Sequence, residues 1–319
     1  MLNLNGSMWI VGVDLGGSKV EVILARRDRV VSTFRGEGLN RQVVGEELVV
    51  IKLCEMVNYV LRNHGLVRVD MLVVGGAGLG RSREQKSLEH ALYGHDIADK
   101  VIVRSDAEIA LWGALSGKPG VVVIAGTGSI VFGMNERGRL FRAGGYGYVI
   151  GDDGSGFWIG REGLRAAIAA YEGWGPETAL KELALKWFTV RQMEDIIPKI
   201  YSDISPQRVL SSFAIAVIQL AENGDEVARE IVENGAARLA RITVSLLKKL
   251  RLKKARHLRI TGGIFKDKIF REKFMADVKA AYPKIDIAPA EHPPAYGAVL
   301  LGLSYAKEEN AKKSKKSRS

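Results

Sequence analysis

The sequence predicts an α/β protein built from two lobes. Three observations carry this reading: apolar strands alternate with helical segments, two of those strands pass through a glycine turn into a second strand, and these hairpins open successive parts of the chain, at Trp9 and Val121. Two lobes that each begin with the same device point to an ancient duplication.

Trp9 to Val13 reads as a strand, followed by Gly16 and Gly17, after which Val20, Val22 and Leu24 alternate with Glu21 and Ile23. Dinucleotide and Walker phosphate loops run from a strand into a helix, so a second strand after the glycines disfavours both. Between Gln42 and His64 the spacing of Val44, Leu48, Ile51, Val57 and Leu61 predicts an amphipathic helix that stops at Gly65. Met71 to Val74 is a strand that runs into GGAGLG at 75–80, and Val101 to Val103 is another. Ser105 and Glu108 then form a capping-box pattern at the start of a helix that reaches Gly117.

GKPG at 117–120 marks the boundary to the second lobe, whose opening VVVIAGTGSIVFG repeats the strand, glycine turn and strand of the first. Helices are predicted over 156–171 and across 177–250, then a strand from Leu258 to Thr261 broken at Gly262 and Gly263. A last helix over 294–307 follows Pro293-Pro294 and packs back on the first lobe. The lobes are therefore 1–117 with 293–307, and 118–292. Residues 308–319 read as a disordered basic tail.

Composition bounds the function. With 319 residues and 47% hydrophobic content the chain fills proper cores, and no apolar run approaches the roughly 18 to 20 residues of a membrane span. The first residues, MLNLNGSM, lack the charged start and apolar core of a signal peptide, so the expected location is the cytoplasm. Cys54 is the single cysteine, which excludes an internal disulfide or a cysteine-ligated cluster within one chain. The net charge of +11 invites a nucleic-acid reading, but NAKKSKKSRS at the end supplies five of those charges. That tail reads as a solubilising end, with a weak, salt-sensitive grip on a polyanion as the alternative. None of the five histidines stands at metal-ligand spacing from a cysteine or an acid.

DLGGSK at 14–19, GTGS at 126–129 and GG at 262–263 are each ordinary turn punctuation. Their combination is more specific: three glycine turns at strand ends, in two lobes, suit a nucleotide whose phosphates accept closely approaching backbone N–H groups. Ser18, Thr127 and Ser129 add hydroxyl donors, and Asp14 at a strand end is of the type that holds Mg²⁺. Asp106 and Asp152 sit where an acid also serves as an ordinary helix-capping residue.

GVDLGGSK, SDAEIALWGA, VIAGTGSI, GGYGYVIGDDGSGFW and ITGGIF, in this order, resemble the N-acetylglucosamine kinase family and the related BadF-type ATPase domains over residues 9–305. The resemblance implies two ribonuclease-H-like lobes of the actin, Hsp70 and hexokinase fold, with ATP and Mg²⁺ in an interlobe cleft and a sugar beneath. It assigns Gly16, Gly17, Ser18, Lys19, Gly126, Thr127, Gly128 and Ser129 to the phosphates, Gly262 and Gly263 to the adenosine, and Asp14 to Mg²⁺. Asp106 becomes the catalytic base toward the sugar hydroxyl, with Asn40, Gly145, Tyr146 and Asp152 around the sugar. Tyr146 stands where relatives often carry tryptophan, which leaves the identity of the sugar open. The implied activity is transfer of the γ-phosphate of ATP to a hexose or hexosamine, at its 6-hydroxyl, by an enzyme that is commonly a homodimer. The competing readings are a BadF-type ATPase that acts on a partner protein, and a nucleotide-dependent regulatory module whose tail touches nucleic acid.

Overall fold

In a computed structural model of the chain, residues 8–316 are described except 18, 40, 202–204 and 253–256. The chain divides into two compact units, residues 1–118 with 290–319, and 119–289. Glu291 and His292 donate their backbone N–H groups to Ala114 and Gly113, which ties the return of the chain to the first unit before Pro293 is reached.

In the first unit the order is β1 (Trp9–Leu15), β2 (Lys19–Arg26), β3 (Arg29–Glu37), α1 (Arg41–Val44), α2 (Glu46–Arg62), β4 (Val69–Gly76), α3 (Ser82–Tyr93), β5 (Ala98–Ser105) and α4 (Asp106–Leu115). The C-terminal helix, Pro294–Lys316, completes it. Its sheet has the order β3-β2-β1-β4-β5, antiparallel from β3 to β1 and parallel from β1 to β5. Alternate side chains of β1 and β2 enter two different cores. Val11, Val13, Val20, Val22 and Leu24 pack with Val49, Leu53 and Val57 of α2, while Ile10, Ile23 and Ala25 pack with Ala295, Ala298 and Val299 of the C-terminal helix. The expected alternation at Glu21 and Ile23 is thus not a polar face, because both sides of the sheet are covered and both residues are buried.

The second unit contains β6 (Gly120–Ala125), β7 (Ser129–Met134), β8 (Leu140–Gly144), α5 (Gly156–Tyr171), α6 (Leu180–Phe188), α7 (Ile196–Tyr201), α8 (Pro206–Glu222), α9 (Glu226–Leu250), β9 (His257–Thr261), α10 (Lys268–Ala281) and β10 (Asp286–Pro289). Its sheet order, β10-β9-β6-β7-β8, repeats the first with the same directions: β6 pairs antiparallel with β7 and parallel with β9. The core is built on Phe213, Phe270 and Phe274, all fully buried.

The tail expected to be disordered from 308 is instead the end of the C-terminal helix, which runs on to Lys316. Glu309 pairs with Lys100, and Asn310 donates to the Ala306 carbonyl at 2.8 Å. Arg104 bonds the Tyr305 hydroxyl, and its guanidinium lies 5.2 Å from the centre of that ring. Extending an existing helix fixes one residue per new hydrogen bond, which is far cheaper than nucleating one, and a composition argument applied to the tail alone misses this. Among the described residues no helix is long and apolar enough to cross a membrane.

Candidate active-site residues

In the first unit, two carboxylates meet at the carboxyl edge of the sheet, where α/β folds commonly bind ligands. The register places Asp14 of β1 beside Gly75 of β4, and Gly76 beside Ser105 of β5. Asp14 and Asp106 therefore flank a strand end that carries no side chains. Asp14 is pushed up to about 6, first by burial and then by the negative charge of Asp106, with Lys19 opposing and Glu21 adding to the rise. Asp106, by contrast, is exposed. It is the first residue of α4, with Oδ1 accepting the Ala107 N–H at 2.8 Å and the Ser105 hydroxyl capping Glu108 N–H at 3.2 Å.

The hairpin turn is fixed by Gly16, whose N–H donates to the Lys19 carbonyl at 3.0 Å and whose carbonyl accepts Leu39 N–H at 3.0 Å. Gly17 and Lys19 are exposed on it. Ser18 and Asn40 lie outside the described residues. One feature escaped the sequence reading: Glu21, across the hairpin from Asp14, is a buried carboxylate that accepts Arg35 Nε–H at 2.7 Å. Strand alternation assigns Glu21 to the sheet, and nothing in its neighbours signals a third acid near Asp14.

In the second unit, the turn between β6 and β7 is braced by the start of α5. Gly126 N–H donates to the Gly128 carbonyl at 2.9 Å, while Gly156 and Phe157 N–H groups reach the carbonyls of Gly126 and Thr127 at 2.7 and 3.2 Å. Thr127 is exposed. Ser129 is buried and its hydroxyl donates to the Asp153 carbonyl at 2.8 Å, so this hydroxyl holds the turn. Asp152 fills the space beside Gly128, where an added Cβ would stand 2.6 Å from Asp152 Oδ2. The Asp152 carboxylate, which sits at a left-handed φ of 59°, accepts the N–H groups of Ser129 and Gly147. Burial raises its pKa, and those two hydrogen bonds oppose the rise.

Gly262 ends β9 next to β6 with φ 107°, and a Cβ there would stand 2.1 Å from the Ala125 carbonyl oxygen. The glycine turns at 126–129 and 262–263 are thus brought to one edge of this sheet. Gly145 and Tyr146 lie on the loop after β8. Tyr146 is 65% exposed, with the Arg142 guanidinium 4.9 Å from its ring centre.

The model of the BadF/BadG/BcrA/BcrD ATPase family matches residues 11–302. The chain belongs to that family. Among curated relatives, an N-acetylmuramic acid/N-acetylglucosamine kinase of Clostridium acetobutylicum is 29% identical over 93% of this chain and 98% of its own. An N-acetyl-D-glucosamine kinase of Dictyostelium discoideum is also 29% identical, with the same coverage. Among solved structures, one from Chromobacterium violaceum has a TM-score of 0.74 at 19% identity, covering 92% of this chain and 99% of that one. The ROK hexokinase of Thermus thermophilus has a TM-score of 0.62 at 18% identity, covering 95% and 100%. The fold is that of the hexokinase-like group.

The glycine turns of the signature motifs lie at strand ends in both units. The loop that carries Asp152 is further tied down by Asp153, which pairs with Arg238 at 3.2 Å, and Arg238 lies 5.5 Å from the Trp158 ring centre. From sequence Asp153, like Asp152, reads as a capping acid before the helix that opens at Ser155; its pairing with Arg238 is not legible there, since α9 is distant along the chain.

Proposed function

We propose that this chain is an ATP-dependent kinase of a hexosamine of the N-acetylglucosamine type. The observation that carries the reading is the pair Asp106 and Asp14: one exposed carboxylate at a capped helix start, and one half-buried carboxylate whose pKa burial and the charge of Asp106 push up. Asp106 is the proton acceptor. The sugar hydroxyl, at position 6 by family resemblance, gives its proton to the Asp106 carboxylate as its oxygen attacks the γ-phosphorus. The bond from that phosphorus to the β-γ bridging oxygen breaks, and its electron pair leaves with ADP. Such transfer needs positioning and charge neutralisation and no covalent intermediate.

The donor set near Asp14 fits Mg²⁺: it is a hard oxygen ligand whose negative form is disfavoured by burial and by Asp106, a penalty that a nearby dication relieves. Bound there, Mg²⁺ neutralises phosphate charge. Gly16 to Lys19 and Gly126 to Ser129 are assigned to the phosphates, with Thr127 rather than Ser129 offering the hydroxyl, and Gly262 and Gly263 to the adenosine. Asn40, Gly145 and Tyr146 are assigned to the sugar. Asp152 orients that loop through its N–H bonds and reaches the sugar only if one oxygen turns outward. The names of the curated relatives support an amino sugar as substrate. The reading places the enzyme in the cytoplasm.

The test is ADP release from Mg·ATP with N-acetylglucosamine, glucosamine, glucose or mannose added singly. Stimulation by an amino sugar well above glucose supports the reading. Turnover that ignores all four sugars favours the second reading, an ATPase acting on a partner protein, which the family match itself motivates. Against a metal cluster in such a role stands Cys54, a lone thiol pushed up to about 11 by burial.

A further inference from the structure

A pocket that the proposed reaction does not use lies in the first unit, at the end of the sheet away from Asp14. The turn between β2 and β3 sits beside the start of β1, where Arg27 N–H donates to the Met8 carbonyl at 2.8 Å. About 17 Å of strand then separates Trp9 from Asp14. This turn, the end of α4 and the C-terminal helix together line a cavity of about 610 Å³, which is the size of a small-molecule site. Its apolar lining is Trp112, Leu300 and Leu303, all half-buried. Arg27 and Lys307 line it from exposed positions, and among the described residues no ion pair engages either of them. Ser116, Ser304 and Asp28 add two hydroxyls and a carboxylate. The frame is tied down. The Asp28 carbonyl accepts the Tyr296 hydroxyl at 2.6 Å, which anchors the turn to the C-terminal helix. On that helix Leu300, Leu303, Ser304 and Lys307 recur at the spacing of one face. Gly117, at φ 73°, lies so close to the Trp112 indole that a Cβ there would stand 2.6 Å from it, which pins the ring. A pocket arranged in advance spares its ligand the cost of ordering it.

We propose that this pocket is a regulatory site for a small phosphomonoester that carries a hydroxylated ring. The two cations match a phosphate dianion, Arg27 as a forked donor and Lys307 as a point charge. The indole and the two leucines take the flat face of the ring, and Ser116, Ser304 and Asp28 take its hydroxyls. Two sources share this chemistry: the sugar phosphate that the proposed reaction releases, and a nucleoside monophosphate. An effect on turnover follows from where the pocket lies. The chain leaves the first unit after Lys118 and re-enters it at Ala290. The Ser116 hydroxyl donates to Glu291 Oε2 at 2.6 Å and so joins these two crossings. A ligand packed against Ser116 and Gly117 holds both crossings in one arrangement, which slows an enzyme whose turnover needs conformational steps. This effect rests on the kinase reading; the binding site does not.

The experiment is calorimetric titration of the full chain with N-acetylglucosamine 6-phosphate, adenosine monophosphate and inorganic phosphate in turn. It is repeated on the double variant Arg27→Glu/Lys307→Glu, with circular dichroism confirming that the variant is folded. Binding at the candidate active site survives in the variant, so the pocket is reported by the heat that the variant loses. The wild type should bind one of the two ringed esters there with a dissociation constant below about 1 mM. Inorganic phosphate should bind at least about ten-fold more weakly, and the variant should weaken the ester about ten-fold or more. In ADP release at saturating Mg·ATP and N-acetylglucosamine, where competition at the active site is suppressed, that ester should slow the wild type about two-fold or more and leave the variant's rate unchanged. A response to the sugar phosphate makes the pocket a product sensor, and a response to adenosine monophosphate makes it a nucleotide sensor. Identical titrations of wild type and variant, inorganic phosphate bound as tightly as either ester, or binding that leaves the rate unaltered would each overturn the proposal. A wild type that binds the ester in the pocket but turns over no sugar would contradict the kinase reading and leave the binding site supported.

Discussion

The two units share one strand order and one set of strand directions, yet their acids differ in what surrounds them: burial raises both Asp14 and Asp152, and only Asp152 has backbone N–H groups that oppose the rise. In the first, Asp14 is half-buried and lifted to about 6 by burial and by the charge of Asp106. In the second, the corresponding hairpin strand ends in apolar Ile124 and Ala125, and the acid arrives from a distant loop: Asp152, held by the N–H groups of Ser129 and Gly147. One unit keeps an electrostatic penalty at its sheet edge, as functional sites do. The other spends its acid on local order. The same topology therefore does not dictate the same duty, and the hydrogen-bond partners of each carboxylate decide it.

This contrast breaks if both aspartates respond alike to substitution. Asp152→Ala should cost the second unit about 1–3 kcal/mol, because the N–H of buried Ser129 and that of exposed Gly147 lose their acceptor and alanine tolerates the left-handed backbone poorly. Urea denaturation followed through tryptophan fluorescence measures it, and a loss below ~0.5 kcal/mol would mean that the carboxylate does not hold the loop.

Asp14→Asn should act in the opposite direction. Its folded pKa lies above the ordinary value of 3.8, so between about pH 4 and 6 the folded state binds more protons than the unfolded one. Stability from this group is therefore full at acid pH and falls as pH rises through 6, by at most ~3 kcal/mol. The uncharged amide removes the penalty, so the metal-free variant should melt a few degrees higher than the wild type at pH 8 and show little difference at pH 4. Turnover with Mg·ATP should be lost at every pH. Equal melting temperatures at pH 8 would remove the strained-acid account.

The smallest effect belongs to the chain end. Truncation after Lys307 removes the Glu309 to Lys100 pair, which is partly exposed, and should cost no more than ~1 kcal/mol. The first unit's thermal midpoint reports it, and a loss of several degrees would show that the last turns of the helix carry more than that pair.

Much of this arrangement is legible in the sequence. Both hairpins, the Ser105 cap and the seam near GKPG follow from short-range pattern: strand alternation, glycine turns and a hydroxyl three residues before an acid. What escaped depends on contacts distant in sequence. Glu21 and Ile23 alternate like a half-exposed strand, yet the C-terminal helix and α2 cover both faces of the sheet. Ser129 reads as a phosphate donor until the Asp153 carbonyl is found on its hydroxyl. The helical extension to Lys316 rests on Lys100 and Arg104, some two hundred residues earlier. The roles of Asp14 and Asp106 were implied by family resemblance, and the strand register shows why they lie near each other: Asp14 stands beside Gly75, and Asp106 directly follows β5, whose last residue stands beside Gly76.

The central claim, that Asp106 receives the proton of the sugar hydroxyl, is tested most directly by Asp106→Asn with N-acetylglucosamine and Mg·ATP, measuring turnover and ATP affinity on the same preparation. The account predicts that sugar-stimulated ADP release falls by about 10²- to 10⁴-fold, while the dissociation constant for ATP, by calorimetry, changes by no more than about two-fold, since the amide keeps the shape of the helix start. Turnover retained within about ten-fold of the wild type would contradict it.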